Sequence, residues 1–180
     1  MEELFDVLDE NGLFTGKTIA RDEAHKIGAY HKGVALFLVN RKKQVLMGKR
    51  SDTKKQWPGC WDVSAGGHVE AGELGLMSAI REMQEELNIR VKPKNVRFAR
   101  AHRSNEKDGK VWNAHFNEVF VAFKNLNPKK IKVKKDEVTE VKWVDWADFK
   151  NLVQTRNPAL STKWDAYEAL IMYVEKYGCQ

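Results

Sequence analysis

The sequence predicts an α/β domain of the α+β kind, a mixed sheet sandwiched by helices, and three observations predict it. "GVALFLVN" (33–40) is a continuous apolar run, as a strand buried on both faces requires. From about Gly72 to Leu87, the residues Leu74, Met77, Ile80, Met83 and Leu87 recur every three or four positions and make one helical stripe. The elements run strands, helix, strands, helix. That order packs helices on a sheet and does not build a regular βαβ alternation.

Each element has a local reason. "LFDVLDENGLFTGKTIA" (4–20) reads as two strands joined by an Asn-Gly turn at Asn11–Gly12. "RDEAHKIG" (21–28) is polar and reads as a link to the main body. After the apolar run, the polar turn "RKKQ" leads to "VLMGKR" (45–50), its expected hairpin partner. "WPGCWDVSAGG" (57–67) is punctuated by Gly and Pro and ends in a short strand or turn. "VRFARAHRS" and "VWNAHFNEVFVAF" read as the arms of a long hairpin, with a polar loop over 105–109. In "NPKKIKVKKDE" (Asn127–Glu137), lysines alternate with Ile131 and Val133, the pattern of a half-exposed strand rather than a nucleic-acid stripe. "EVKWVDWADFKNLV" reads as a strand into a short helix capped by Asp145. The last helix spans about Lys163–Tyr177, with Trp164, Tyr167, Leu170, Ile171 and Val174 on its stripe.

Composition narrows the function classes. The 180 residues fit one domain, 1–180, with residues 1–30 as an N-terminal hairpin extension. An apolar content of 42% with six Trp argues against a disordered chain. The acidic start "MEELFDVLDENG" has no apolar core of a signal peptide, and no apolar run approaches the ~18 residues of a membrane span. Cys60 and Cys179 cannot make a disulfide framework. A cytoplasmic protein without membrane contact is the expectation. The net charge of +6 suits a phosphate-bearing small molecule, and nucleic acid is not the expected partner.

Against that basic background, Glu82, Glu85 and Glu86 cluster on one helix, within a sector of about 100° at 100° per residue. A Glu-rich solvated face is the ordinary reading of such a cluster. The lead-in "GGHVEAGE" changes it. Gly66 and Gly67 allow a tight turn that brings a backbone carbonyl beside the carboxylates. Carboxylates, a carbonyl and water are the hard oxygen donors that Mg²⁺ or Mn²⁺ prefers. Arg81 is placed to pair with Glu73 and hold the loop on the helix.

The spacing Gly67, Glu73, Arg81, Glu82, Met83, Glu85, Glu86 and Ile89 resembles the Nudix box, here residues 67–89. Asn88 stands where that family usually has Gly, and Asn tolerates the left-handed conformation that ends a helix. The resemblance implies a Nudix fold from about residue 30 onward. It implies that Glu85 and Glu86 bind a divalent metal with help from the Gly67 carbonyl. Glu82 would be a metal ligand or the base that activates water, and Arg81–Glu73 a structural pair. Glu118 is the candidate for a further acid from a strand, its alternative being an edge position facing water; Glu140 is a weaker candidate base. Lys49, Arg50, Lys54 and Lys55 are candidates to hold phosphates. The implied activity is hydrolysis of a diphosphate linkage in a nucleoside diphosphate derivative, with Mg²⁺ or Mn²⁺.

A second resemblance lies in the segment before the box. Arg50, Lys54, Lys55, Trp57, Pro58, Gly59 and Trp61 share the spacing of isopentenyl-diphosphate isomerase, a branch of the same superfamily. That enzyme uses histidines for its metal; His31 and His68 match those positions, and His25 lies one residue out of register. Glu118 matches one of its paired metal-binding glutamates. Two departures stand out: Gly66 replaces its catalytic cysteine, and Phe116 replaces its second glutamate. Cys60 lies in a different turn and is a poor substitute. The expectation is an isomerase-like scaffold carrying hydrolase chemistry. The alternatives are an isomerase and a non-catalytic module that binds nucleotide or nucleic acid. Trp57, Trp61 and Trp112 are candidates for stacking on a base or packing in the core.

Overall fold

The computed structural model describes residues 2–109 and 111–179. Its centre is β3 (His31–Val39), whose alternate side chains enter two different cores. Ala35, Phe37 and Val39 point to one, and Val34, Leu36 and Leu38 to the other. A strand with both faces covered must be apolar throughout, which is why the run at 33–40 shows no alternation.

Around β3 lie β4 (Gln44–Arg50), β5 (Trp61–Asp62), β6 (Ala65–His68), β7 (Val96–Asp108), β8 (Val111–Phe123) and β9 (Val138–Asp145). Together they form a seven-stranded sheet with the path β5-β4-β3-β8-β7; β6 pairs with β3 and β9 with β4. The β3–β8 pair is parallel and the other pairs are antiparallel, so the sheet is mixed. On one face packs α2 (Gly75–Leu87), with Met83 and Leu87 fully buried against Leu36, Leu38 and Phe120. On the other pack α3 (Trp146–Gln154) and α4 (Trp164–Tyr177), through Phe149, Val153, Tyr167 and Leu170. The N-terminal hairpin of β1 (Leu4–Leu8) and β2 (Phe14–Ala20) forms its own two-stranded sheet. Among the described residues, no helix is long and apolar enough to cross a membrane.

Several expectations need correction. Residues 21–27 are a helix, α1 (Arg21–Ile27), not a polar link; it closes on Gly28 at φ 72°. Helix α2 starts at Gly75, and its buried face is Gly75, Ser78, Ala79, Met83 and Leu87. Leu74 and Met77, counted in the expected stripe, are 72% and 45% exposed. Small residues set the inward face because they let the helix approach the sheet, and a count of large apolar residues does not see them. The polar stretch 105–108 continues β7 and stays paired with β8 as far as Asp108 opposite Val111. The lysine-rich segment begins with a 3-10 turn, Pro128–Lys130, and residues 131–134 form no strand. Ile131 and Val133 still pack inward while the lysines face out. Asp145 does cap α3 by position, but its side chain accepts from Gln44 Nε2 at 2.8 Å instead of from the helix.

Candidate active site

Strand β6 and helix α2 build the site between them. Gly67 lies opposite Val34 in the sheet, and the turn after β6 returns the chain to α2. Positive φ at Gly72 (77°) and a Glu73 N–H to Glu70 carbonyl bond of 2.9 Å shape that turn. The close approach explains the glycine at 67: any β-carbon there would collide with the Glu82 carboxylate.

Because the inward face of α2 runs through Ala79 and Met83, Glu82 and Glu86 lie on it as well, one helical turn apart. The Glu82 side chain is only 13% exposed, while that of Glu85 is 51% exposed. Burial pushes the Glu82 carboxyl up against the pull of Arg81. Glu86 is pushed up to about 8, by burial and then by the Glu82 charge, with Lys163 opposing. Two inward carboxylates with raised proton affinity are a poor arrangement for a bare protein surface and a good one for a cation.

Arg81 orders the acids. It donates to Glu73 Oε2 at 3.1 Å, to Glu82 Oε1 at 2.9 Å and to the His68 carbonyl at 3.1 Å. It also lies 3.6 Å from Glu85 Oε2. Glu73 is gripped from both sides, since Ser78 Oγ donates to it at 2.5 Å. Burial opposes ionisation of Glu73, yet the bonds from Arg81 and Ser78 hold its carboxyl below the usual range. Glu118 reaches the same side of the sheet from β8: its carboxylate abuts Gly75 at the start of α2 and lies 3.4 Å from Lys32 Nζ. Glu140 is exposed on β9, opposite Lys49.

The expected phosphate cations are more constrained than the sequence implies. Arg50 donates to Asp62 Oδ2 at 3.0 Å and to the Gln56 carbonyl at 3.0 Å, and its guanidinium lies 5.7 Å from the centre of the Trp57 ring. Lys54 is ion-paired with Glu137, and Lys55 is exposed. The segment carrying Glu137 is docked by the Lys134 N–H, which donates to the Glu86 carbonyl at 2.8 Å.

Sequence reasoning missed Asp62 and Lys163. Lys163 comes from the start of α4 and donates to Asp62 Oδ2 at 2.8 Å. Asp62 is buried, yet Lys163 and Arg50 outweigh that burial and hold its carboxyl at about 2. Only the lone Asp in an otherwise apolar and small-residue stretch, "WDVSAGG", hinted at it. Trp61 lies under Lys142 at 3.8 Å, and Trp112 packs on Gly28 with its indole donating to Asn105, so both have structural partners. Cys60 and Cys179 are free thiols, and the Cys60 thiol donates to the Pro158 carbonyl at 3.9 Å.

The side of β6 turned away from α2 carries a second cluster. His25, His31, His68 and His115 each present a ring nitrogen within 4.8 Å of the others. Three of these were singled out from sequence; His115 was not, because only the parallel register of β3 with β8 sets it opposite His31.

Residues 29–164 match the NUDIX domain family model. Nudix hydrolase 3 of Arabidopsis thaliana is 38% identical over 165 residues, 88% of this chain; the chain spans only 21% of that longer protein. An isopentenyl-diphosphate Delta-isomerase of Escherichia coli is 31% identical over 143 residues, 78% of this chain and 76% of its own. A crystal structure from Deinococcus radiodurans superposes with a TM-score of 0.69 at 22% identity, covering 95% of this chain and 99% of that one.

Proposed function

The chain belongs to the NUDIX domain family, and on that premise we propose that it is a divalent-metal-dependent hydrolase of a diphosphate linkage, with a nucleoside diphosphate derivative or related small diphosphate as substrate. The observation that carries this reading is the inward pair of Glu82, set against Gly67, and Glu86 one helical turn on, both with proton affinities raised by burial. Arg81 offsets the charge of Glu82, but holding Glu86 ionised beside it out of water is costly without a further cation. Their hard oxygens fit Mg²⁺ or Mn²⁺.

In this reading Glu85, Glu86 and the Gly67 carbonyl hold the ion, with Glu118 approaching from β8. The ion supplies Lewis-acid polarisation of a phosphoryl oxygen and offsets charge on the leaving group. Glu82 serves as a further ligand or accepts the proton of the attacking water; its raised affinity suits the second role. Arg81 and Glu73 keep the loop and helix in register, so that the carboxylates point at one place. Arg50, Lys54 and Lys55 take the phosphates, Arg50 through the part of its fork not given to Asp62. Residues 1–180 act as one domain, the first thirty forming an extension packed on it.

Against an isomerase reading, Gly66 stands where that enzyme carries its catalytic cysteine. A β-carbon at Gly66 would lie 2.7 Å from the Val34 carbonyl oxygen and 3.2 Å from Val63 Cγ2. A side chain at the position where the isomerase carries its catalytic cysteine would require β6 to shift from β3 here.

The test is a panel of nucleoside diphosphates, nucleotide sugars, dinucleotides and isopentenyl diphosphate, assayed with Mg²⁺. Release of phosphate or a nucleoside monophosphate is expected, and Glu86→Gln is expected to lower turnover at least a hundredfold with the fold intact. An allylic product without phosphate release would overturn the proposal, as would an unaffected Glu86→Gln enzyme.

A further inference from the structure

On the hydrolase reading just given, we propose that strand β1 clamps the loop between β6 and α2, and that Asp6 is a positioning residue for the carboxylate site. The NUDIX match begins at residue 29, so β1 lies outside it. Yet β1 bonds directly to the loop that carries Glu73. The Ala71 N–H donates to the Leu4 carbonyl at 2.8 Å, and the Gly72 N–H donates to Asp6 Oδ2 at 3.0 Å. Two successive amides of the loop are thus taken by one strand, from positions two residues apart.

The bond to Gly72 falls where the loop has most freedom. Gly72 has φ 77°, and the space where its β-carbon would stand is open among the described residues, so packing does not hold it. A glycine there has other backbone conformations close in energy. The next residue is Glu73, whose Oε2 takes Arg81 at 3.1 Å, and Arg81 in turn donates to Glu82 at 2.9 Å. A continuous path therefore runs from Asp6 through Gly72, Glu73 and Arg81 to Glu82. Arg81 has other carboxylates within reach, Glu85 Oε2 at 3.6 Å and Glu70 Oε1 at 3.9 Å. A displaced Glu73 would let Arg81 turn to them and away from Glu82, and misplacing a catalytic group slows the chemical step more than it weakens binding.

A clamp must itself be fixed, and β1 is. Phe5, between the two bonding positions, is fully buried, with its ring 4.5 Å from that of His31 and 4.8 Å from that of His68. Its neighbour Asp6 points to the opposite face, as alternation along a strand requires. Further along, the Leu8 N–H donates to the Tyr30 carbonyl at 2.8 Å, beside the start of β3. Strand β2 pairs with β1 from Leu4–Ala20 to Leu8–Phe14. The turn of the hairpin is tied to β7 by Arg103, which donates to the Glu10 carbonyl at 3.0 Å. With these ties in place, truncating Asp6 loses one bond and not the hairpin. Gly72 is exposed, so water takes over its N–H, and what disappears is the fixed direction of the loop.

The test compares Asp6→Ala with Asp6→Asn in the full-length chain, because Asn keeps an acceptor oxygen at that place and Ala does not. Amide hydrogen exchange is one readout, and steady-state kinetics on a substrate from the panel, with Mg²⁺, is the other. Asp6→Ala is expected to speed exchange at Gly72 and Glu73 about fivefold, the worth of one hydrogen bond, and to lower kcat by about the same factor with KM within about twofold. Asp6→Asn is expected to stay within about twofold of wild type in both readouts. Val153→Ala, in the core under α3, weakens the whole fold without touching the loop and is expected to leave both readouts unchanged. Unchanged exchange at Gly72 in Asp6→Ala, an unchanged kcat, an Asp6→Asn as impaired as Asp6→Ala, or a matching loss of kcat in Val153→Ala would each overturn the proposal. Exchange needs neither substrate nor metal. If no panel member is turned over, the hydrolase reading fails by itself, and exchange at Gly72 still decides whether Asp6 clamps the loop.

Discussion

Replacing Asp62 by Asn removes one negative charge and little volume, at a point where the structure converges five donors. Oδ2 accepts from Arg50 at 3.0 Å and Lys163 at 2.8 Å; Oδ1 accepts from the Val63 N–H at 2.8 Å and Ser161 Oγ at 2.9 Å, with the Tyr167 hydroxyl at 3.3 Å. Two routes give the magnitude. The carboxyl drops from 3.8 to about 2 in the folded protein, which corresponds to about 2.5 kcal/mol. Removing one partner of a buried ion pair costs about 3–5 kcal/mol, and the low end applies because the Arg50 and Lys163 side chains, 20% and 28% exposed, regain some hydration. Asp62→Asn is therefore expected to lose about 3 kcal/mol at pH 7, measured by urea unfolding. The sign with pH follows from a depressed folded-state value. The stabilisation is fully present above the unfolded value of about 3.9 and fades as pH falls toward 2, so wild type and variant converge in acid. A loss under 1 kcal/mol at pH 7, or a gap that stays constant down to pH 2, would refute the reasoning.

Three further outcomes are expected. Met83→Ala, at a fully buried position on the inward face of α2, should cost about 2–5 kcal/mol in urea unfolding. Gly66→Cys should lose about 1–3 kcal/mol, because β6 must move off β3 to admit the side chain, and should show no isomerisation of isopentenyl diphosphate. Asn88→Val should cost about 1–2 kcal/mol, since its φ of 53° is the left-handed region, whereas Asn88→Gly should change stability by less than about 1 kcal/mol. Thermal unfolding of the pair checks the last claim.

What the sequence made legible was what depends on short spacing. The box residues lie on one turn and one helix, so the helical period sets Glu82, Glu85 and Glu86 in one sector while the glycine turn and the box spacing suggest Gly67 and Glu73 beside them; in the structure Glu82 lies against Gly67, and Arg81 joins Glu82 to Glu73. The buried strand β3 was equally plain, because covering both faces leaves no polar positions. Contacts fixed by long-range register were not legible. Asp62 and Lys163 are separated by 101 positions, and His115 meets His31 only because β8 runs parallel to β3. Small residues hid the true inward face of α2. Helix α1 was missed because its seven residues bury only Ala24 and carry no apolar stripe. The lysine-rich segment shows the converse error: its side chains alternate as expected, yet its backbone docks on the end of α2 instead of joining the sheet.

The strand β6 explains how two such different clusters fit within one small domain. Successive side chains on a strand point to opposite faces. Gly67 therefore turns its bare Cα toward α2 and Glu82, while the ring of His68, the next residue, enters the histidine pocket behind the sheet. The two clusters share a backbone as well. Arg81, which orders the carboxylates, also takes the carbonyl of His68 at 3.1 Å. A movement of β6 by one register position would swap the faces and disrupt both clusters at once, exposing Glu82 to a side chain and turning His68 into α2. The pair Gly67–His68 thus does two jobs that only this order of residues permits: a missing side chain where the helix must come close, and an imidazole where it must not.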